Sequence, residues 1–101
     1  MFYLYILYSD SSDLYYVGST EHPLKRLAEH NSDPKNTFTS KHRPWVLAAL
    51  FKVGTIRGEA VTLERFIKKQ KSRSLIEKLV NQDFEPSGKL AQLVRVPHVR
   101  D

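Results

Sequence analysis

The sequence predicts an α+β domain in which helices flank a small three-stranded sheet, with the element order β-β-α-β-α-α. Two tyrosine-rich segments lie close together near the N-terminus, and a nearly continuous apolar run follows in the middle of the chain. Most of the other apolar residues recur with helical spacing. The 101 residues, of which 41% are hydrophobic and 27% charged, suffice for one modest core.

The first two strands are expected to form a hairpin. Residues 2–8 are dense in aromatic and aliphatic side chains, and the serines and aspartates that follow favour a turn. Residues 14–17 return as the second strand, which we expect Gly18 to end, because glycine permits a positive φ or a close backbone approach. If Tyr5 and Tyr16 pair across the hairpin, their phenols can point to the same face of the sheet.

The remaining elements follow from proline positions and apolar spacing. A helix begins near Pro23 and ends near Asn31, and a polar loop leads to a central strand over residues 44–51. A second helix is expected over residues 56–71, with its apolar side chains in one stripe. Ser72 is expected to cap a third helix.

Composition limits the possible functions without choosing one. The net charge is +5, a modest bias toward polyanionic partners such as nucleic acid. The sequence contains no run of about 18 apolar residues, so we expect no membrane span. It begins with no basic region or cleavage site, so we expect no signal peptide. The absence of cysteine removes disulfides and thiolate metal sites and, with these features, leads us to expect a cytoplasmic protein. Oligomeric state is not readable, and a monomer is assumed.

Several motifs, taken in order and with their separations, resemble the GIY-YIG nuclease superfamily in its small stand-alone branch. They are Tyr3-Leu4-Tyr5, Tyr16-Val17-Gly18-Ser19-Thr20, Arg26 with His30, Phe38-Thr39-Ser40-Lys41 before Pro44-Trp45, and Glu64. The first motif departs from the family pattern, since Tyr3 replaces glycine and Leu4 replaces isoleucine. By this resemblance, residues 1–83 form the GIY-YIG-like catalytic domain, and residues 84–101 form a partly irregular C-terminal extension.

The resemblance implies an endonuclease that hydrolyses phosphodiester bonds of nucleic acid, with DNA as the expected substrate and Mg²⁺ or Mn²⁺ as the cofactor. By family analogy Glu64 is the metal ligand, a role that suits a hard carboxylate oxygen. The alternative for Glu64 is an i, i+4 ion pair with Lys68. Arg26 would hold the phosphate through its planar fork, and its alternative is a solvated side chain.

The other site residues carry less definite expectations. Tyr5 and Tyr16 are candidates for positioning or deprotonating water, although a phenol needs a lowered pKa to act as a base at pH 7. Which of them is the base stays open, and both could simply pack in the core. His30 could contact phosphate or relay a proton. Lys41 and His42, in a basic loop, are expected to contact the nucleic-acid backbone or to be merely solvated.

Two other functions compete with the endonuclease. One is a catalytically inactive nucleic-acid-binding module of the same fold, which would keep Arg26 and the lysines but need not keep Glu64. The other is a protein-interaction domain, which the high aromatic content would also fit. A metal requirement distinguishes the three, because only the endonuclease predicts cleavage that EDTA abolishes.

Overall fold

An antiparallel sheet joins the N-terminal hairpin to the central strand and is covered by three helices. The computed structural model describes residues 1–35 and 37–97. Its elements are β1 (Phe2–Ser9), β2 (Leu14–Thr20), α1 (Pro23–Ser32), β3 (Trp45–Gly54), α2 (Arg57–Gln70), α3 (Arg73–Val80) and β4 (Val94–Arg95), with two short 3₁₀ turns at Thr39–His42 and Gly88–Leu90. The strands lie side by side in the order β2-β1-β3-β4.

The α+β class and the sequence of the six longer elements agree with the prediction, but the expected number of strands is wrong. The sheet of the described residues has four strands, because Val94 and Arg95 pair with Lys52 and Phe51 of β3. Two residues are too short to show the alternation by which strands are predicted. Tertiary contacts hold this segment in place, since the guanidinium of Arg95 donates to the Leu79 carbonyl oxygen at 2.8 Å and lies over the Phe51 ring.

The hairpin register differs from the expectation at two points. β2 continues through Gly18 to Thr20, so the glycine does not end the strand. Gly18 is the residue directly opposite Tyr5, whereas Tyr16 lies opposite Leu7. Tyr5 and Tyr16 are therefore diagonal neighbours on one face of the sheet instead of a direct cross-strand pair.

The two faces of the sheet bury separate clusters of side chains, because successive residues of a strand point to opposite faces. One face packs against α2, α3 and the C-terminal segment through Leu4, Ile6, Phe51, Ile67, Leu79, Leu90 and Leu93. The other face buries Tyr5, Leu7, Trp45 and Leu50, with Leu27 of α1 against them. The candidate tyrosines belong to this second, smaller cluster.

Two helices begin with the residues that the sequence predicted for their first turns. Pro23 occupies the first turn of α1, and the Ser72 hydroxyl accepts a hydrogen bond from the Leu75 amide at 3.1 Å at the start of α3. A domain boundary after residue 83 stays a prediction, and residues 98–101 lie outside the described part of the chain. No helix within the described residues is long and apolar enough to cross a membrane.

Candidate active site

A buried tyrosine–histidine pair forms the centre of the candidate site. Tyr5, on β1, is 3% exposed, and its phenolic oxygen lies 2.9 Å from Nε2 of His30 in the last turns of α1. The other ring nitrogen of His30 lies 3.1 Å from the Thr39 hydroxyl oxygen, and that threonine is also buried. The three side chains form a continuous hydrogen-bonded chain from the sheet, through α1, to the turn before β3.

Gly18 makes room for this pair. A Cβ atom built on Gly18 would lie 2.3 Å from the Tyr5 hydroxyl oxygen and 2.4 Å from the ring carbon that carries it. The phenol therefore lies directly across the glycine of the neighbouring strand, where no other residue type leaves enough space. This close approach explains the glycine in the middle of β2, which the sequence alone suggested was a strand end.

Burial shifts the pKa values of Tyr5 and His30 in opposite directions. Burial, with a smaller contribution from Tyr16, raises the pKa of Tyr5 to about 12, and the nearby Arg26 guanidinium only partly opposes this increase. Burial also lowers the pKa of His30 to about 4, and the positive charge of Arg26 adds to this decrease. At pH 7 Tyr5 is therefore a neutral phenol and His30 a neutral imidazole able to accept a proton.

Arg26 stands at the exposed edge of the pair. It shares the face of α1 with His30, as the spacing of four residues predicts. Its guanidinium forms an ion pair with Glu29 at 3.3 Å, in which both side chains are more than 40% exposed. An exposed cation beside a buried phenol–imidazole pair is accessible to an anionic substrate.

Tyr16 lies on the other side of the pair, toward the edge of the sheet. Its ring centroid is 5.0 Å from that of His30 and 6.4 Å from that of Tyr5. The Lys68 ammonium, on α2, lies 5.1 Å from the centroid of the Tyr16 ring. Tyr16 is only partly buried, so one of the two candidate tyrosines is enclosed and the other is accessible.

Glu64 is fixed on α2 where this helix passes the edge strand β2. One carboxylate oxygen accepts a hydrogen bond from the Ser19 hydroxyl at 2.6 Å, and the other accepts one from Lys68 at 2.8 Å. The i, i+4 pair that competed with the metal role is therefore present, but it occupies only one of the two oxygens. The Glu64 charge also contributes to the raised pKa of Tyr5, which puts the carboxylate within electrostatic range of the site.

The carboxylate suits a hard divalent cation that keeps several waters. No group of three or more histidine, cysteine, aspartate or glutamate side chains comes together within residues 1–35 and 37–97. Mg²⁺ does not need such a cage, since it commonly takes one or two carboxylates and completes its shell with water and substrate oxygens. Among the candidate residues, Glu64 is the only carboxylate, so it is the residue able to hold such an ion.

The structure brings together Tyr5, Tyr16, Arg26 and His30, with Glu64 linked to them through Lys68, but it leaves Lys41 and His42 outside this group. His42 instead contacts the Ser12 hydroxyl at 2.9 Å and the ring of Phe38. Lys41 is exposed and forms no ion pair with any residue in the described part of the chain. Contacts from Lys41 and His42 to nucleic acid stay predictions, as do the roles of the other site residues.

Three residues of the site were not assigned a place in it by sequence reasoning. Thr39 bonds His30, Ser19 bonds Glu64, and Lys68 bridges Glu64 and Tyr16. Ser19 and Thr39 belong to motifs that were recognised, but hydroxyl side chains in such segments are usually explained by turns. Only the lysine had a signal of its own, the i, i+4 spacing.

The small antiparallel sheet holds Tyr5 across Gly18 of the edge strand, and Tyr16 lies on that strand, with the helix that carries Arg26 beside them. This is the architecture that the GIY-YIG motifs imply. The GIY-YIG catalytic domain matches residues 1–79, and the chain therefore belongs to the GIY-YIG family.

Two curated relatives add a more specific similarity over about half of the chain. They are the structure-specific endonuclease subunit SLX1 of Ajellomyces capsulatus and the structure-specific endonuclease subunit slx1 of Aspergillus niger. Each is 40% identical in an alignment of 53 residues, and the alignment covers 48% of this chain. The match spans only 13% and 12% of the length of these two relatives, respectively.

Proposed function

We propose that this protein is a divalent-metal-dependent endonuclease that hydrolyses phosphodiester bonds of nucleic acid, with DNA as the substrate. Membership of the GIY-YIG family supports a nuclease, as does similarity to two structure-specific endonuclease subunits. The observation that carries the proposal is the 2.9 Å contact between Tyr5 and His30 beside the exposed Arg26. Neither an inactive binding module nor a protein-interaction domain needs this buried arrangement of titratable groups.

The first role in the proposal is activation of water by Tyr5 and His30 acting together. When His30 carries its proton on Nδ1, it donates to the Thr39 hydroxyl oxygen, and its Nε2 accepts the hydrogen bond of the Tyr5 phenol. As water attacks phosphorus, its proton passes to the Tyr5 oxygen while the phenolic proton passes to His30. No free phenolate forms, so the pKa of about 12 does not prevent Tyr5 from relaying the proton. A phosphate bound at Arg26 would offset the positive charge that helps to lower the pKa of His30, so His30 would become a stronger base as the substrate binds.

The second role is stabilisation of charge on the phosphoryl group. Arg26 would contact the phosphate oxygens with its planar fork, releasing Glu29 as it does so. Its effect is catalytic if the contact strengthens as negative charge spreads over those oxygens in the transition state. Tyr16, beside this position and partly exposed, would orient the water or the phosphate through its hydroxyl.

The third role belongs to Glu64, which would hold Mg²⁺ or Mn²⁺. A bound ion of this kind polarises the phosphate and stabilises the departing oxygen as the phosphorus–oxygen bond breaks. Ser19 keeps the carboxylate oriented through its hydrogen bond, and Lys68 neutralises it in the free protein. A divalent cation held by Glu64 would compete with Lys68 for the negative charge of the carboxylate.

The proposal is tested by incubating the pure protein with labelled flaps, forks, single strands and duplexes of DNA and RNA. We expect cleavage of DNA with Mg²⁺ or Mn²⁺ and none with EDTA. We expect Glu64→Ala to reduce the rate by at least about 10³-fold, because several kcal/mol of charge stabilisation is lost. Glu59→Ala, on the same helix but bonded to Gln92, is the matched control and should cut at the wild-type rate.

Two results would count against the proposal. Cleavage by Glu64→Ala at the wild-type rate, in matched Mg²⁺, would remove the metal role from this residue. Complete inactivity on every substrate, with nucleic-acid binding retained, would favour the catalytically inactive module instead. Circular dichroism of each variant establishes that the fold is intact, so that a lost activity is not lost structure.

A further inference from the structure

An open groove runs alongside the candidate site, between the edge strand β2 and the junction of α2 with α3. Its volume is about 430 Å³, and its walls include Tyr16, Phe38, Lys68, Lys71 and Arg73. Tyr16 and Lys68 belong both to this groove and to the candidate site, so the groove opens directly onto it. None of the roles proposed above uses the remainder of the groove.

The charge of the groove favours an anionic occupant. Its lining contains three cations and, among the described residues, no carboxylate. Lys68 and Arg73 are paired with acidic residues outside the groove, at 2.8 Å to Glu64 and 2.6 Å to Asp13. Lys71 forms no such pair with any residue in the described part of the chain and is exposed. It projects from the end of α2, where the backbone is left-handed with a φ of 49°.

An exposed aromatic ring faces these cations. Phe38 is 51% exposed, although a phenylalanine of a small domain would normally be buried. Its ring lies at only 26° to the plane of Tyr16, with 6.3 Å between the centroids, and it also contacts the His42 ring at 4.8 Å. Tyr16 and His42 thus support the ring from within the protein while half of its surface stays accessible to a ligand.

A basic groove with an accessible aromatic ring suits a particular form of nucleic acid. Phosphates can contact the lysines in any duplex, but the base faces inside a duplex are already stacked on one another. Only an unpaired base can stack on Phe38, and such stacking is how proteins bind single strands without reading their sequence.

We propose that this groove binds the unpaired strand of the nucleic-acid substrate, with Phe38 stacking on one base and Lys71 contacting the backbone. The inference rests on the proposed function in that it places the strand next to the phosphate that Arg26 would hold. It does not depend on cleavage, because binding in the groove requires neither Glu64 nor a divalent cation.

The experiment measures equilibrium binding of the full chain in EDTA. The probes are a labelled single strand with 2-aminopurine at successive positions and a blunt duplex of two complementary strands with the same number of phosphates. Each is made as DNA and as RNA. The variants are Phe38→Ala, Phe38→Trp and Lys71→Ala, with Lys25→Ala as the control, since Lys25 is exposed on α1 and does not line the groove.

We expect Phe38→Ala to weaken single-strand binding about tenfold, the effect of losing one base–aromatic stack, and to change duplex binding much less. The quenching of 2-aminopurine on binding should disappear with Phe38→Ala and persist with Phe38→Trp. Lys71→Ala should weaken single-strand binding and reduce the log–log salt slope by about 0.7, the value for one phosphate of a single strand. Lys25→Ala should bind as the wild type does.

Other outcomes would overturn the proposal. Unchanged single-strand binding and quenching in Phe38→Ala would show that no base stacks there, and equal losses for single strand and duplex would remove the preference for unpaired nucleotides. If the quenching were lost in Phe38→Trp as well as in Phe38→Ala, Phe38 would have a packing role and would not stack on a base. If the wild-type protein binds single strands through the groove but cleaves no substrate, only the proposed function is contradicted. If the Phe38→Ala variant cleaves at the wild-type rate and binds single strands as tightly as the wild type, only the groove proposal is contradicted.

Discussion

Gly18 on β2 leaves the space that the Tyr5 phenol on β1 occupies, so the position of this candidate catalytic group depends on the glycine. Gly18→Ala would bring a methyl group to 2.3 Å from the Tyr5 hydroxyl oxygen. Tyr5 cannot move away freely, because its ring is 3% exposed and bonded to His30. We expect overpacking to lower the free energy of unfolding by about 1–3 kcal/mol. Displacement of the phenol should lower the cleavage rate by about 10².

The measurement for Gly18→Ala is the melting temperature together with the single-turnover cleavage rate. Gly58→Ala is the matched control, since a Cβ built at this helical position of α2 meets no atom within 4 Å. That substitution lies in the first turn of α2, so it should stabilise the protein by less than about 1 kcal/mol and leave the rate unchanged. If Gly18→Ala were as active as the wild type, the phenol would have to find a second position that still reaches His30.

His30 connects the candidate site to the pH dependence of stability. Its pKa in the folded protein is about 4, below the ordinary value of 6.5, because burial disfavours the charged imidazole. The unfolded chain therefore binds more protons than the folded chain between these two values, and the free energy of unfolding falls as the pH is lowered through this range. The stability that a neutral His30 permits is fully present above about pH 6.5 and lost as the pH approaches 4.

The prediction is that His30→Gln flattens this pH dependence, because glutamine does not titrate. For one complete proton the slope is at most about 1.4 kcal/mol per pH unit. Urea unfolding at intervals between pH 4 and 7 measures it. His22→Gln is the control at an exposed histidine and should leave the slope unaltered. Parallel curves for the wild type and His30→Gln would mean that His30 is charged, or freely hydrated, in the folded state.

At the scale of the elements, the C-terminal segment is joined to the same core as the helices. Leu93 is 4% exposed and packs in the large cluster that also contains Leu79 of α3. We expect Leu93→Ala to lower the free energy of unfolding by about 2–5 kcal/mol, through lost burial and the cavity left behind. Chemical denaturation measures this change, and Val94→Ala, at a side chain that is 60% exposed, should cost less than about 1 kcal/mol.

This comparison also tests where the catalytic domain ends. An extension that begins at residue 84 and folds apart from residues 1–83 would leave the main unfolding transition unchanged in Leu93→Ala. A single transition shifted as a whole would mean that the segment through β4 is part of the domain. The contacts of Arg95 with the carbonyl oxygens of Leu79 and Phe84 favour the second result.

For the whole molecule, charge is the property that governs the encounter with nucleic acid. Sixteen lysines and arginines oppose eleven acidic residues, which leaves a net charge of +5. We expect binding to duplex DNA to weaken steeply with salt, at about −0.9 in log–log slope for each phosphate neutralised, and to show little base preference. Titrations of two unrelated sequences over a range of salt concentrations measure both effects. Tight binding to one sequence, insensitive to salt, would contradict this expectation.

The sequence by itself determined the class of fold and the identity of most candidate residues. The helices follow from the 3.6-residue spacing of their apolar side chains, because one face of each helix is buried. The strands β1 and β3 follow from their dense aromatic and aliphatic composition. Ser72 and Pro23 act through the backbone of their own turn, which is why their positions at helix starts could be predicted. The motif residues Tyr5, Tyr16, Arg26, His30 and Glu64 could likewise be named, because their order and separations resemble the GIY-YIG motifs.

Only the tertiary structure decided how these residues act together. The continuation of β2 through Gly18 depends on the Tyr5 phenol lying across it, a contact between two strands that no local pattern encodes. The bond between His30 and Thr39, the hold of Ser19 on Glu64, and the two-residue β4 also join segments that are distant in sequence or too short for a periodic signal. Burial then fixed the pKa values of Tyr5 and His30, because the cost of charging a group depends on what surrounds it in space.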